Sequence, residues 1–167
     1  RLDNNVKQFD RLIIAYKNSK LYSQNIPLLI LGTGPDEESL RHQIQSLELE
    51  NHVKLLGFKP NVIDYMEPAK FLILSSRFEG FPLVLIEALS VGTPVISFDC
   101  NSGPSEIVKN KSNGLLVKSQ NFEALTKAMN LMHGDKALYK KCKSNSKNSV
   151  EKFSFSTISP KWLDLLQ

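Results

Sequence analysis

Residues 71–98 read FLILSSRFEGFPLVLIEALSVGTPVISF, and this stretch sets the architecture of the chain. Phe71-Leu72-Ile73-Leu74 is a short uninterrupted apolar run, the pattern of a strand covered on both faces. A strand with one wet face would alternate instead. Gly80 lets the backbone approach a ligand closely, and Pro82 suits a helix start, where its missing N–H has no intrahelical acceptor in any case. Leu83 to Val91 predicts a helix, Gly92-Thr93-Pro94 stops it, and Val95-Ile96-Ser97-Phe98 predicts a second strand. A strand, a helix and a strand in that order require a crossover, so the two strands run parallel.

The same cycle extends in both directions. Phe9, Leu12, Ile13 and Tyr16 recur at helical spacing and predict a first helix from about Val6 to Tyr22. Leu28 to Leu31 and Val53 to Leu56 predict strands closed by Gly32 and Gly57. Between them Asp36, Glu37 and Glu38 open a helix, their charge matched to the positive end of its dipole. Val62, Ile63 and Met66 lie on a short helix, and Pro104 to Val108 form another. Gly114 to Val117 is the last strand, followed by helices from about Phe122 to Met132 and Lys136 to Val150. The reading over residues 1–167 is one α/β domain, a Rossmann-like doubly wound parallel sheet with helices on both faces. In such sheets ligands bind at the carboxyl ends of the strands, here after Leu31, Leu56, Leu74 and Phe98.

Composition narrows the function classes. The net charge is +4, with eleven Lys against five acidic residues after Cys100. The excess lies at Lys136, Lys140, Lys141, Lys143, Lys147 and Lys152, a pattern that reads first as a solvated helix face. Aromatic residues are not interleaved with these lysines, which argues against a nucleic-acid partner. No apolar run reaches the roughly 20 residues of a membrane-spanning helix. Cys100 and Cys142 have no metal-ligand spacing and fit a reducing, cytoplasmic setting. His42, His52 and His133 fall outside every motif and read as surface residues, and Trp162 with its apolar neighbours reads as packing.

The strongest chemical signal is the pair Glu79 and Glu87 around the Gly80-Phe81-Pro82 turn. The amides of Gly80, Phe81, Leu83 and Val84 at the helix start form a potential anion site, since Pro82 has no N–H. A carboxylate accepts two hydrogen bonds from a vicinal diol, so Glu87 could hold a ribose and Glu79 a sugar. A solvated or salt-bridged pair has the same spacing. Gly32-Thr33-Gly34 fits a plain strand–helix turn as well as a ligand contact.

The block from Glu79 to Ile96 resembles the signature of family 4 retaining glycosyltransferases with the GT-B fold. Gly103-Pro104-Ser105-Glu106-Ile107 and Asn113-Gly114-Leu115-Leu116-Val117 fall where that family has a Gly-rich turn with a Glu and an N-G-L-L-V strand. Arg1-Leu2 followed by Lys7 is similar to its G-R-L…K-G segment, with Gln8 standing where the family has Gly. The resemblance implies the C-terminal, nucleotide-sugar-binding domain of a two-domain enzyme, with a separate N-terminal acceptor domain outside this chain. It implies that Arg1 and Lys7 hold the donor diphosphate. Gly80, Phe81 and Leu83 offer backbone contacts to phosphate and sugar, and Gly57 and Phe58 frame the nucleobase. Glu87 binds the ribose, and Glu79 is the catalytic candidate beside the transferred sugar. No cofactor or metal is expected; there is no D-x-D cluster, and a nucleoside-diphosphate sugar, most plausibly a UDP-sugar, is the substrate.

A sugar or lipid-linked acceptor would bind the N-terminal domain, which leaves room for peripheral membrane association of the full-length enzyme at the inner face. Sugar transfer by the isolated chain is not expected. The family also places a strand directly before the Arg-Leu pair, near the centre of the sheet; without it two strand edges would lack partners. Two rivals stand beside this reading: a nucleotide-sugar epimerase half-domain, against which the Glu79-to-Glu87 block argues, and a non-catalytic module that binds anionic surfaces through the Lys136–Lys152 face.

Overall fold

A computed structural model describes the backbone of residues 1–165 and the side chains of residues 1–160. The packing expected of Trp162 lies outside the described residues. Among the described residues five strands and nine α-helices alternate: α1 Phe9–Lys17, α2 Lys20–Ser23, β1 Leu28–Ile30, α3 Glu37–Ser46, β2 Val53–Leu55, α4 Ile63–Met66, β3 Leu72–Leu74, α5 Leu83–Ser90, β4 Val95–Asp99, α6 Pro104–Ile107, β5 Gly114–Lys118, α7 Phe122–Gly134, α8 Lys136–Val150 and α9 Phe155–Leu165. A 3-10 turn at Glu151–Phe153 joins the last two helices. Neither that turn nor α9 was foreseen from the sequence, where Pro160 argues against a helix interior.

All strand pairs are parallel. The sheet, however, is in two pieces: β1 pairs with β2, and β3, β4 and β5 pair in that order. The gap leaves two strand edges without partners among the described residues, as the sequence reading expects where the strand before the Arg-Leu pair is missing. Among the described residues no strand lies between β1 and β3, so one edge of each lacks a ladder partner. The segment from Leu2 to Lys7 bridges the two pieces at their carboxyl ends. Leu2 N–H donates to the Thr33 carbonyl (2.9 Å), and Arg77 N–H donates to the Val6 carbonyl (2.7 Å).

Side-chain alternation along β4 explains why apolar runs serve as strands here. Ile96 and Phe98 pack with Leu12, Ile13, Leu125 and Met129 of α1 and α7, whereas Val95 packs with Leu85, Leu89 and Val108 on the other side. Both faces are covered, so apolar residues dominate both parities, and the buried Ser97 hydroxyl is satisfied by the Phe98 carbonyl at 2.8 Å. The core of β4 is complete: Val95, Ile96, Ser97 and Phe98 are all buried.

The first helix is also corrected. It begins at Phe9, not Val6, because Gln8 adopts a left-handed conformation (φ 56°, ψ 40°) that no helix can pass through. It ends at Lys17, and Ser19 in extended conformation starts a separate short helix at Lys20.

Candidate functional site

The loop after β3 is built by three neighbours. Ser75 and Ser76 are buried, and Ser75 Oγ donates to the Lys7 carbonyl at 2.7 Å. That bond, with the Arg77–Val6 bond, sets Lys7 beside the loop. Its ammonium donates to Glu79 Oε1 at 2.6 Å, with the two side chains 28% and 12% exposed. From the other side Ser102 Oγ donates to the Glu79 carbonyl (3.1 Å). Gly103, at φ 92°, backs onto the loop so closely that a Cβ there would lie 2.6 Å from Pro82 Cδ and 2.7 Å from the Gly80 carbonyl oxygen. The Gly-rich turn after β4 is thus a brace for the loop after β3. Cys100 is buried at the same place, and its thiol pKa is raised, first by burial and then by the Glu79 charge. It is held as an inert thiol.

Helix α5 begins at Leu83 with Pro82 as its cap, and Leu85 N–H donates to the Pro82 carbonyl. The amides of Gly80, Phe81, Leu83 and Val84 find no acceptor among the described residues. No acidic side chain occupies the first turn, so the positive end of the helix dipole faces outward uncompensated. A Cβ on Gly80 would meet nothing within 4 Å, which leaves the space above this loop open. Ser76 Oγ, buried just upstream, has no hydrogen-bond partner among the described residues.

Gln8 is a site residue whose role the sequence did not reveal. It is 1% exposed, and its amide pairs head to tail with that of Gln120 at 2.8 and 2.9 Å, across 112 positions. Turning the Gln8 amide brings its nitrogen 3.1 Å from the Ser75 carbonyl and its oxygen 3.2 Å from Arg77 Nη2. With the Gln120 amide turned as well the pair survives, in exchange for the 3.5 Å contact between Arg11 Nη1 and Gln120 Oε1. Gln120 too has a positive φ, 63°. The clue was the family's Gly after the basic residue; a left-handed backbone at this position explains it. Nothing in the sequence pointed to Gln120.

The other expected residues are dispersed. Glu87 is exposed on α5, and its carboxylate has no hydrogen-bond or ion-pair partner among the described residues. Arg1 is 73% exposed, and its Nε reaches only Asp3, at 4.0 Å. The structure does not bring it to the Lys7–Glu79 pair. Gly57 (φ 70°) closes β2, its carbonyl accepting from Gly32 N–H at 2.8 Å, with Phe58 exposed beside it. Gly34 serves close packing, since a Cβ there would lie 2.3–2.7 Å from the Leu2 backbone. Phe58, Phe78, Phe81 and Leu83 leave this end of the sheet open and partly apolar. His42 is exposed as expected. His52 and His133 are half-buried, His52 against the Tyr22 ring and His133 against Lys70 and Gln24.

Comparison with known proteins identifies the family. The profile of the family described as "Glycosyl transferases group 1" matches residues 1–149. The amylovoran biosynthesis glycosyltransferase AmsD of Erwinia amylovora is 31% identical over 160 residues, covering 96% of this chain and 44% of AmsD. The N-acetylgalactosamine-N,N'-diacetylbacillosaminyl-diphospho-undecaprenol 4-alpha-N-acetylgalactosaminyltransferase of Campylobacter jejuni is 36% identical over 153 residues, covering 92% of this chain and 41% of that protein. Among solved structures, Anabaena HepE in complex with UDP superposes with a TM-score of 0.88 at 25% identity, covering 99% of this chain and 46% of HepE. The chain spans less than half the length of each of these relatives. It belongs to the glycosyl transferases group 1 family, with the Rossmann-like architecture of GT-B enzymes.

Proposed function

We propose that the chain is the nucleotide-sugar-binding domain of a retaining glycosyltransferase that uses a UDP-sugar, and that a second domain of the same protein holds the acceptor. The acceptor would be a polysaccharide, lipopolysaccharide or glycolipid precursor. A lipid-linked acceptor, such as the name of the Campylobacter relative specifies, would place the full-length protein at a membrane face. The observation that carries the reading is the convergence at the carboxyl end of β3 of the outward amides of Gly80, Phe81, Leu83 and Val84 with the Lys7 ammonium and the Glu79 carboxylate.

The chemistry follows from those groups. An ammonium has three donors, and Glu79 occupies one of Lys7's, so two remain for phosphate oxygens. The helix amides add donors that need no reorganisation as charge builds on the departing diphosphate. Arg1, long and exposed, would swing in to the same oxygens. Glu87 would accept the ribose hydroxyls and Glu79 a hydroxyl of the sugar, while the acceptor hydroxyl attacks from the second domain. Gly57 and Phe58 would frame the base. No divalent ion is needed in this scheme, because lysine, arginine and the helix end supply the positive charge.

Calorimetry with UDP, GDP and ADP, with and without EDTA, tests the reading. Heat with UDP at up to millimolar concentration, unchanged by EDTA, is expected. Silence with every nucleoside diphosphate at that concentration would overturn it.

A further inference from the structure

At the opposite end of β3 from Glu79, a cavity of about 390 Å³ is lined by Lys20, Gln24, Lys70, His133, Lys136 and Tyr139. Four parts of the chain supply these residues: α2, the loop before β3, the end of α7 and the start of α8. The proposed donor chemistry uses none of them. We propose that this cavity is a second anion site, which binds a phosphate-type oxyanion between the ammonium groups of Lys20, Lys70 and Lys136.

The charge balance carries the argument. Lys20, Lys70 and Lys136 make no ion pair with a carboxylate among the described residues. Asp135, next to Lys136, is the cap of α8 and accepts from Leu138 N–H at 2.9 Å. Lys70 is held in place: its ammonium lies 2.6 Å from His133 Nδ1 and 5.7 Å from the centre of the Tyr139 ring. Lys143 approaches the same ring at 6.0 Å. An ammonium has only donors, so His133 accepts through Nδ1 and is neutral, and its Nε2–H donates to Gln24 Oε1 at 2.6 Å. Burial, Lys70 and Lys20 all depress the His133 pKa, in that order. Burial, reinforced by lysines that face it without a counter-ion, thus favours the uncharged histidine. Lys136 opens the 15-residue helix α8, whose first turn Asp135 caps. Three lysines lining one cavity suit a tetrahedral oxyanion, for which lysine serves as a point-charge binder.

The ligand could be a soluble phosphate or the phosphate of an anionic lipid, and His133 reports on both. In the purified chain, the His133 imidazole resonance is followed by NMR across pH, in inorganic phosphate and in sodium chloride of equal ionic strength. Phosphate should move its titration midpoint up by roughly one pH unit, as an anion close to a histidine does, and chloride should not. The exposed pair Lys20→Gln/Lys136→Gln should abolish the phosphate-specific change while melting like the parent. Co-sedimentation with phosphatidylglycerol vesicles then separates the sources. Binding lost in the double variant names a lipid headgroup; no binding, with the phosphate response intact, names a soluble phosphate. Equal responses to phosphate and chloride would overturn the proposal, as would a phosphate response that survives the double substitution. So would vesicle binding without any phosphate response, since that describes a diffuse basic face and not a built site.

Discussion

Lys7 Nζ donates to Glu79 Oε1 at 2.6 Å, joining residues 72 positions apart. The two groups assigned separately to diphosphate and sugar therefore form one unit before any donor arrives. Removing one partner strands the other in a partly desolvated position, which costs about 1–3 kcal/mol. Lys7→Ala and Glu79→Gln should each lower stability by an amount in that range. Their double variant should be less than additive, with a coupling of at least about 0.5 kcal/mol in a denaturation cycle. Strict additivity would show that the pair contributes nothing in solution.

Releasing Lys7 also changes the expected binding pattern. Glu79→Gln should leave UDP affinity equal or slightly higher, because a neutral amide holds the Lys7 ammonium less tightly than a carboxylate does, while weakening a UDP-sugar. Glu87→Gln should weaken both ligands about ten- to a hundredfold, the worth of one charge-assisted hydrogen bond. Glu87 is exposed and without a partner among the described residues, so the fold should be untouched. Calorimetry on both variants decides; normal UDP binding by Glu87→Gln removes the ribose role.

Gly103 and Gly80 separate support from contact. Gly103→Ala forces a Cβ into Pro82 and the Gly80 carbonyl at a positive φ, and should destabilise the protein by about 1–3 kcal/mol. Gly80→Ala meets no protein atom within 4 Å, so melting should be nearly unchanged. If the donor lies against this loop, that methyl should reduce UDP affinity severalfold. Full affinity in folded Gly80→Ala would place the ligand elsewhere.

Gln8 tests the balance between strain and anchoring. Its left-handed backbone is strained for a residue with a Cβ by about 1–2 kcal/mol, offset by burial and the pairing with Gln120. Gln8→Ala keeps the strain and loses the pair, whereas Gln8→Gly loses both. Chemical denaturation should therefore find Gln8→Ala less stable than Gln8→Gly by about 1 kcal/mol. The opposite order would mean that this turn relaxes in solution.

His133 gives stability a pH dependence whose sign is fixed. In the unfolded chain it titrates near its ordinary 6.5, and in the folded protein burial and the lysines Lys70 and Lys20 hold it lower. Between those values the unfolded chain binds a proton that the folded protein does not. This contribution is complete above about pH 6.5 and is lost as pH falls through that value toward the lower folded one. Melting temperature should drop over that window, and the drop should be shallower in His133→Gln. An identical slope in the variant would assign the dependence to other groups.

The α/β class, the parallel strands and most helix positions were legible in the sequence because each rests on local information. Continuous apolar runs mark strands covered twice, helical spacing marks the buried stripes, and Gly32, Gly57 and Gly92 punctuate them. The loop from Glu79 to Leu83 was legible for the same reason: turn residues and a helix start are contiguous in the chain. Tertiary structure alone decided what required distant groups to meet. It fixed which strands pair, β1 with β2 and β3, β4 and β5 in order, since strand pairing is a non-local contact that no run of residues encodes. It turned Gly34 and Gly103 into close-packing positions, because the backbones they touch belong to other segments. It joined Lys7 to Glu79, Gln8 to Gln120 and Lys70 to His133, where side chains far apart in sequence satisfy one another's hydrogen-bonding needs at sites that burial makes expensive to leave empty.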